Sequence, residues 1–118
     1  MKIIKERVYD TLHTPGYRVL VDRLWPRGIK KEALAMDLWA KDLSPSPKLR
    51  QWFNHEPDKF EEFRQAYLEE LKKSEQVKDI LRELSRQSDP IIFLYAAKDP
   101  IYNHVNVLVE FIEDQWKG

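Results

Sequence analysis

Ile91-Ile92-Phe93-Leu94-Tyr95-Ala96 is an unbroken apolar run, entered through Asp89-Pro90 and left through Asp99-Pro100. A strand of this kind is normally covered on both faces, which is the pattern of a central strand in a parallel sheet. The segments around it agree. Val77, Ile80, Leu81 and Leu84 precede it at helical spacing, and Val105, Leu108, Val109, Ile112 and Trp116 follow it on one stripe. Strand therefore alternates with helix, and the expected class is α/β: a small, largely parallel sheet of about four strands packed with helices.

Working outward, Ile3-Ile4 and Val8-Tyr9 mark a first strand near residues 2–9. Thr14-Pro15-Gly16 reads as a turn. Residues 17–25 are β-branched and aromatic and predict a second strand, stopped by Pro26, which cannot donate to a ladder. Residues 30–36 predict a short helix. Residues 36–43 alternate apolar and polar and predict a strand. Ser46 suits an N-cap and Pro47 the first helical position, with Leu49, Trp52 and Phe53 as the apolar face. A long helix is expected over 57–73, where Phe60, Phe63, Tyr67, Leu68 and Leu71 share a stripe. Ser74 caps the next helix, and a last one runs from Asn103 to about Trp116. The 118 residues fit one domain, with 42% hydrophobic residues to build its core.

The charge balance is neutral, 20 basic against 20 acidic side chains, which argues against a generic polyanion binder. The halves differ. Residues 1–60 hold 12 basic and 8 acidic side chains, and residues 61–118 hold 8 and 12. Arg18, Arg23, Arg27, Lys30 and Lys31 stand against one acid, Asp22, a local density that attracts anions even on a neutral protein. Without cysteine there is no disulfide, thiolate metal site or cysteine nucleophile. No apolar run reaches membrane-spanning length and the N-terminus is charged, so a cytoplasmic protein with no membrane partner is expected. His13, His55 and His104 lack ligand spacing, so no metal is expected. No phosphate loop or nucleophile elbow occurs, and no cofactor is expected.

In open α/β sheets ligands bind beyond the carboxyl ends of the strands. Two segments leave such ends. Asp22-Arg23-Leu24-Trp25-Pro26-Arg27-Gly28 offers two guanidinium forks suited to phosphate or carboxylate, a flat ring in Trp25, and a glycine that lets backbone approach a ligand. Asp22 is placed to orient an arginine or a proton donor. Lys98 and Asp99 follow the apolar run, Asn103 caps the next helix, and His104 sits in its first turn. If the two strands are parallel neighbours, the segments face one crevice. Arg50 and His55 could wall the same pocket, whereas Trp52 and Phe53 read as core. Each of these residues also has a bland reading: ion pairs at strand ends, a packing tryptophan, a satisfied histidine.

The residues from Val21 to Gly28, from Leu49 to His55, and Tyr95-Ala96-Ala97-Lys98-Asp99 with Asn103-His104 together resemble the YeaO-like branch of domain-of-unknown-function family 488. The resemblance covers nearly the whole chain in order and spacing. It implies a small bacterial or archaeal cytoplasmic α/β protein and brings no activity with it. A wider branch of that family carries cysteines and a glutamate in the last motif. Here Tyr95, Ala97, Asn103 and Val105 stand where that branch has cysteine, glutamate, cysteine and arginine. Thiol chemistry of that branch therefore does not carry over.

The expected function is a small anion- or nucleotide-type ligand site. Arg23, Trp25, Arg27, Gly28, Arg50, His55, Lys98 and Asn103 bind, and Asp22, Asp99 and His104 handle protons if a phosphate-like centre is turned over. Two alternatives stand beside it. A nucleic-acid binding module would use the 18–31 patch with tryptophans as platforms. A protein-interaction domain without catalysis would expose an apolar patch including Trp39 or Trp116. Oligomeric state is left open.

Overall fold

A computed structural model of the chain describes residues 1–10 and 13–115. Its strands are β1 (Ile3–Arg7), β2 (Tyr17–Leu20), β3 (Leu38–Trp39) and β4 (Ile91–Tyr95). Its helices are α1 (Pro47–Phe53), α2 (Phe60–Lys73), α3 (Glu75–Ser85) and α4 (His104–Gln115). The sheet order is β1-β4-β2-β3, with every pair parallel. The apolar run is thus a central strand: Ile91 lies beside Ile3 on one flank and Tyr17 on the other. This is the α/β class read from the sequence.

Alternate residues of β4 serve two cores, as the period of a strand requires. Ile91 and Phe93 join Val19 and Val21 beneath all four helices. Ile92 and Leu94 join Leu20 on the opposite face. Among the described residues no α-helix packs on that face. Val8, Trp25, Leu34, Met36 and Trp39, mostly from the irregular segment between β2 and β3, roof it over.

The helix starts follow their capping chemistry. Ser46 Oγ accepts from the Leu49 N–H at 3.2 Å, with Pro47 opening α1. Ser74 Oγ accepts from the Val77 N–H at 3.2 Å to open α3. Asn103 Oδ1 accepts from the Asn106 N–H at 3.0 Å before α4. Residues 57–59 form a 3₁₀ turn leading into α2 rather than its first α-helical turn.

Three expectations shift. The second strand ends at Leu20, not near Trp25. Val21 still donates to Leu94 O at 3.0 Å, but the next ladder partner, the Ala96 N–H, donates to the Asp22 carboxylate at 2.9 Å. A side chain thus replaces the backbone and the chain leaves the sheet. The helix expected over 30–36 is a 3₁₀ turn at Lys31–Ala33, with no side-chain cap and an extended Leu34 after it. The strand expected over 36–43 is two residues long and gives way to a second 3₁₀ turn, Lys41–Leu43. Its ladder ends where Ala40 donates to Leu20 O, the last residue of β2. Trp116 lies outside the described residues.

Candidate functional site

Beyond the carboxyl ends of β2 and β4 lies a cavity of about 660 Å³, inside the usual range of small-molecule sites, roughly 300–1,000 Å³. The two strands are parallel neighbours, so the segments leaving them share this space. Asp22, Arg23, Trp25 and Arg27 come from one, and Lys98, Asp99, Asn103 and His104 from the other. Arg50 and His55 reach it from α1 and the turn after it.

Asp22 and His104 tie the two segments together. Asp22 Oδ2 accepts from the Ala96 N–H, and its Oδ1 lies 3.2 Å from His104 Nε2. The same nitrogen is 3.0 Å from the Val21 carbonyl oxygen. A carboxylate and a carbonyl only accept, so Nε2 carries the hydrogen and Nδ1 is left as the second ring position. The Trp39 indole donates to the Asp22 carbonyl at 2.7 Å, fixing the backbone of the same residue.

Asp99 is engaged by its own loop. Its Oδ1 accepts from the Ile101 and Tyr102 N–H groups at 2.9 and 3.0 Å. Those two donors, Tyr102 first, hold its carboxyl below the ordinary aspartate value. Asn103, nearly fully buried, donates to the Asp99 carbonyl and caps α4 with its oxygen, so both ends of its amide are used.

The arginines separate cleanly. Of the eight in the chain, Arg18, Arg64, Arg82 and Arg86 are paired with carboxylates. Arg7 donates to the Ala97 carbonyl and lies over the Tyr9 ring. The remaining three are Arg23, Arg27 and Arg50, and all three line the cavity. Among the described residues none of them has a carboxylate partner; Arg23 makes one long hydrogen bond, Nε to Pro45 O at 3.3 Å. Lys98 also stands there without an ion pair among the described residues.

Arg18 corrects the sequence reading of a continuous 18–31 patch. It is 8% exposed, its Nη2 donates to Glu6 Oε2 at 2.8 Å, and its other nitrogens hold the Thr14 and Ala35 carbonyls. It is a structural staple and is not among the cavity-lining residues. Gly28 does not line the cavity either. Its φ of +80° makes the turn after Arg27, and a Cβ there would meet nothing within 4 Å. Trp25 lines the cavity, but its Nε1–H donates to Ile29 O at 2.6 Å and its ring packs edge-on against Trp39. Trp39 is itself half-buried, with Lys41 over its ring.

Several lining residues escaped the sequence reading. Tyr9 arrives from the end of β1, the third parallel strand, and its hydroxyl donates to Arg27 O at 2.8 Å. The rule that placed the site at strand ends applies to β1 as well. Phe53 and Phe63 line it too, stacked with ring centroids 4.3 Å apart. Their helical periodicity reads only as core. The expectation that Trp52 is core is corrected: it is 41% exposed, with Lys59 over its ring, while its neighbour Phe53 points inward. No group of three or more histidine and acidic side chains placed for a metal occurs among the described residues. No helix among them is long and apolar enough to cross a membrane.

Comparison with known proteins adds kinship without activity. The family model described as the inactive DUF488-N3 subclade matches residues 2–118. The uncharacterised protein YeaO of Escherichia coli K12 is 44% identical over 113 residues, spanning 95% of this chain and 97% of its own. An uncharacterised protein of Mycobacterium bovis and one of Mycobacterium tuberculosis are each 38% identical over 107 residues, spanning 90% of this chain and 89% of theirs. No solved structure matches the chain.

Proposed function

The chain belongs to the inactive DUF488-N3 subclade, and on that premise we propose that it binds a small anionic ligand in the strand-end cavity without turning it over. The observation that carries this reading is the convergence of Arg23, Arg27 and Arg50 on one cavity with no carboxylate partner among the described residues. Guanidinium groups left uncompensated beside a concave surface are matched by phosphate or carboxylate oxygens, which take paired N–H donors. Lys98 adds charge at the mouth, beside the His55 ring.

Asp22 and His104 take a positioning role in this reading. They join the two loops whose separation sets the shape of the cavity. Asp99, held ionised by two backbone donors, shapes the loop instead of moving protons. The absence of cysteine throughout the chain and the description of the subclade as inactive both favour binding over turnover. Burial of Arg18 takes a cation away from the nucleic-acid alternative, whose patch is then discontinuous.

The test is titration of inorganic phosphate into the protein, followed through the arginine Nε–H resonances. The signals of Arg23, Arg27 and Arg50 move together, and Arg27→Ala weakens binding roughly tenfold, the scale of one charge-assisted contact. Its melting temperature stays that of the wild type, because the Arg27 side chain makes no hydrogen bond or ion pair among the described residues. Shifts scattered over the surface lysines, with the three arginines still, would sink the proposal.

A further inference from the structure

The cavity sorts its residues by depth. Arg27, Arg50, His55 and Lys98 are exposed and form its mouth. Phe53 and Phe63, 5% and 1% exposed, form its base, beside the buried Pro26 and Pro45. The charge is therefore outside and the apolar surface inside. A bare inorganic anion would use the mouth and leave the base wet.

Most polar side chains at depth are already occupied. Ser44 Oγ donates to the Lys41 carbonyl. Asn103 has both amide ends bonded. Asp22 takes the Ala96 N–H on Oδ2, while its buried Oδ1, 3.2 Å from Nε2 of the His104 ring, is an acceptor with no hydrogen bond among the described residues. Of that ring, only Nδ1 has no partner among the described residues, and its lone pair can accept one hydrogen bond. A nucleobase buried here would lose water from several donors and acceptors and regain bonds at two acceptors, His104 Nδ1 and Asp22 Oδ1, leaving its own acceptors stranded at a cost to binding. A hydrocarbon ring loses nothing of the kind.

Resting on the reading of the cavity as an anion site, the geometry points to a ligand class: an amphiphilic aryl anion. Its ring lies on Phe53 and Phe63, and its phosphate or carboxylate stays at the mouth among Arg23, Arg27 and Arg50. A single hydrogen-bond donor on the ring is the most that His104 can serve.

The experiment compares phenyl phosphate, benzoate, inorganic phosphate, acetate and uridine monophosphate by calorimetry on the wild-type chain. Phenyl phosphate binds more tightly than inorganic phosphate, and benzoate more tightly than acetate, each by roughly tenfold or more, as burial of a phenyl ring implies. Binding of the aryl anions carries a negative heat-capacity change, the mark of apolar burial. Phe53→Leu, which keeps an apolar core residue, narrows the aryl preference while leaving inorganic phosphate affinity unchanged. Uridine monophosphate or inorganic phosphate binding as tightly as phenyl phosphate would overturn the aryl assignment and leave the anion site standing. Absence of binding by all five would overturn the anion site together with it. Phenyl phosphate over benzoate, or the reverse, identifies the head group.

Discussion

His104 Nε2 sits between two oxygens of consecutive residues, 3.0 Å from the carbonyl of Val21 and 3.2 Å from Oδ1 of Asp22. This single contact joins the start of α4 to the end of β2 across 82 residues of chain. It closes the angle between the two loops that bound the cavity. It also determines which ring nitrogen holds the hydrogen, because neither neighbour can donate.

Long-range proton–nitrogen NMR should therefore find the neutral His104 ring as the Nε2–H tautomer. In Asp22→Asn the amide keeps an oxygen for the Ala96 N–H, and the Val21 carbonyl, which only accepts, still takes the Nε2–H. The Nε2–H tautomer therefore persists in that variant. A wild-type ring in the Nδ1–H form would contradict the contact.

Asp22→Ala tests the same junction by stability. It leaves the Ala96 N–H without its acceptor in a part-buried site. The loss is about 1–3 kcal/mol, the cost of an unsatisfied donor. Chemical denaturation measures it, and an unchanged midpoint would show that water replaces the carboxylate.

Phe53 and Trp52 are adjacent and should respond oppositely to truncation. Phe53 is 5% exposed and stacked on Phe63, and Phe53→Ala costs about 3–5 kcal/mol. Trp52 is 41% exposed, and Trp52→Ala stays within about 0.5 kcal/mol. Equal losses would mean that α1 is rotated from the orientation described.

Acid should release the Arg18 staple. Burial pushes the Glu6 carboxyl up, but hydrogen bonds from Thr14 and from Arg18, with the charge of Arg18, outweigh it and leave the group below the ordinary value of 4.5. A carboxyl depressed in the folded state stabilises above its unfolded value, and that contribution disappears as pH falls through the folded value. Stability of the wild type therefore drops below about pH 4.5 more steeply than that of Glu6→Gln, which has no such proton to bind. Parallel acid limbs for the two proteins would remove Glu6 from the acid response.

Gly16 is a test of backbone proximity. Its φ is +152°, and a Cβ would fall 2.5 Å from the Pro90 carbonyl oxygen, which accepts from the Tyr17 N–H at 2.8 Å. Gly16→Ala must push β2 away from the entry to β4 and lowers the melting temperature. Gly28→Ala meets no neighbour and loses only through its φ of +80°, by about 1 kcal/mol. A larger loss at Gly28 than at Gly16 would contradict the packing at the start of the sheet.

Local chemistry made much of this protein readable in advance. The run 91–96 is apolar at every position because the strand is covered on both faces, and that identifies a central strand without reference to any partner. Ser46, Ser74 and Asn103 announce helix starts because a cap needs only a short oxygen-bearing side chain three residues from an N–H. The strand-end rule places Asp22, Arg23, Lys98 and His104 near one another once β2 and β4 are taken as parallel neighbours.

What only the tertiary structure decided is which charges are already used. Arg18 and Arg23 look alike in the sequence. One is neutralised by Glu6, twelve residues earlier and on another strand, whereas the other meets no carboxylate among the described residues. The end of β2 depends in the same way on Asp22 reaching the Ala96 N–H, 74 residues ahead. Pairings of this range leave no periodic trace, because they depend on where separate elements come to lie, and the cationic mouth over an aromatic base exists only once those elements have packed.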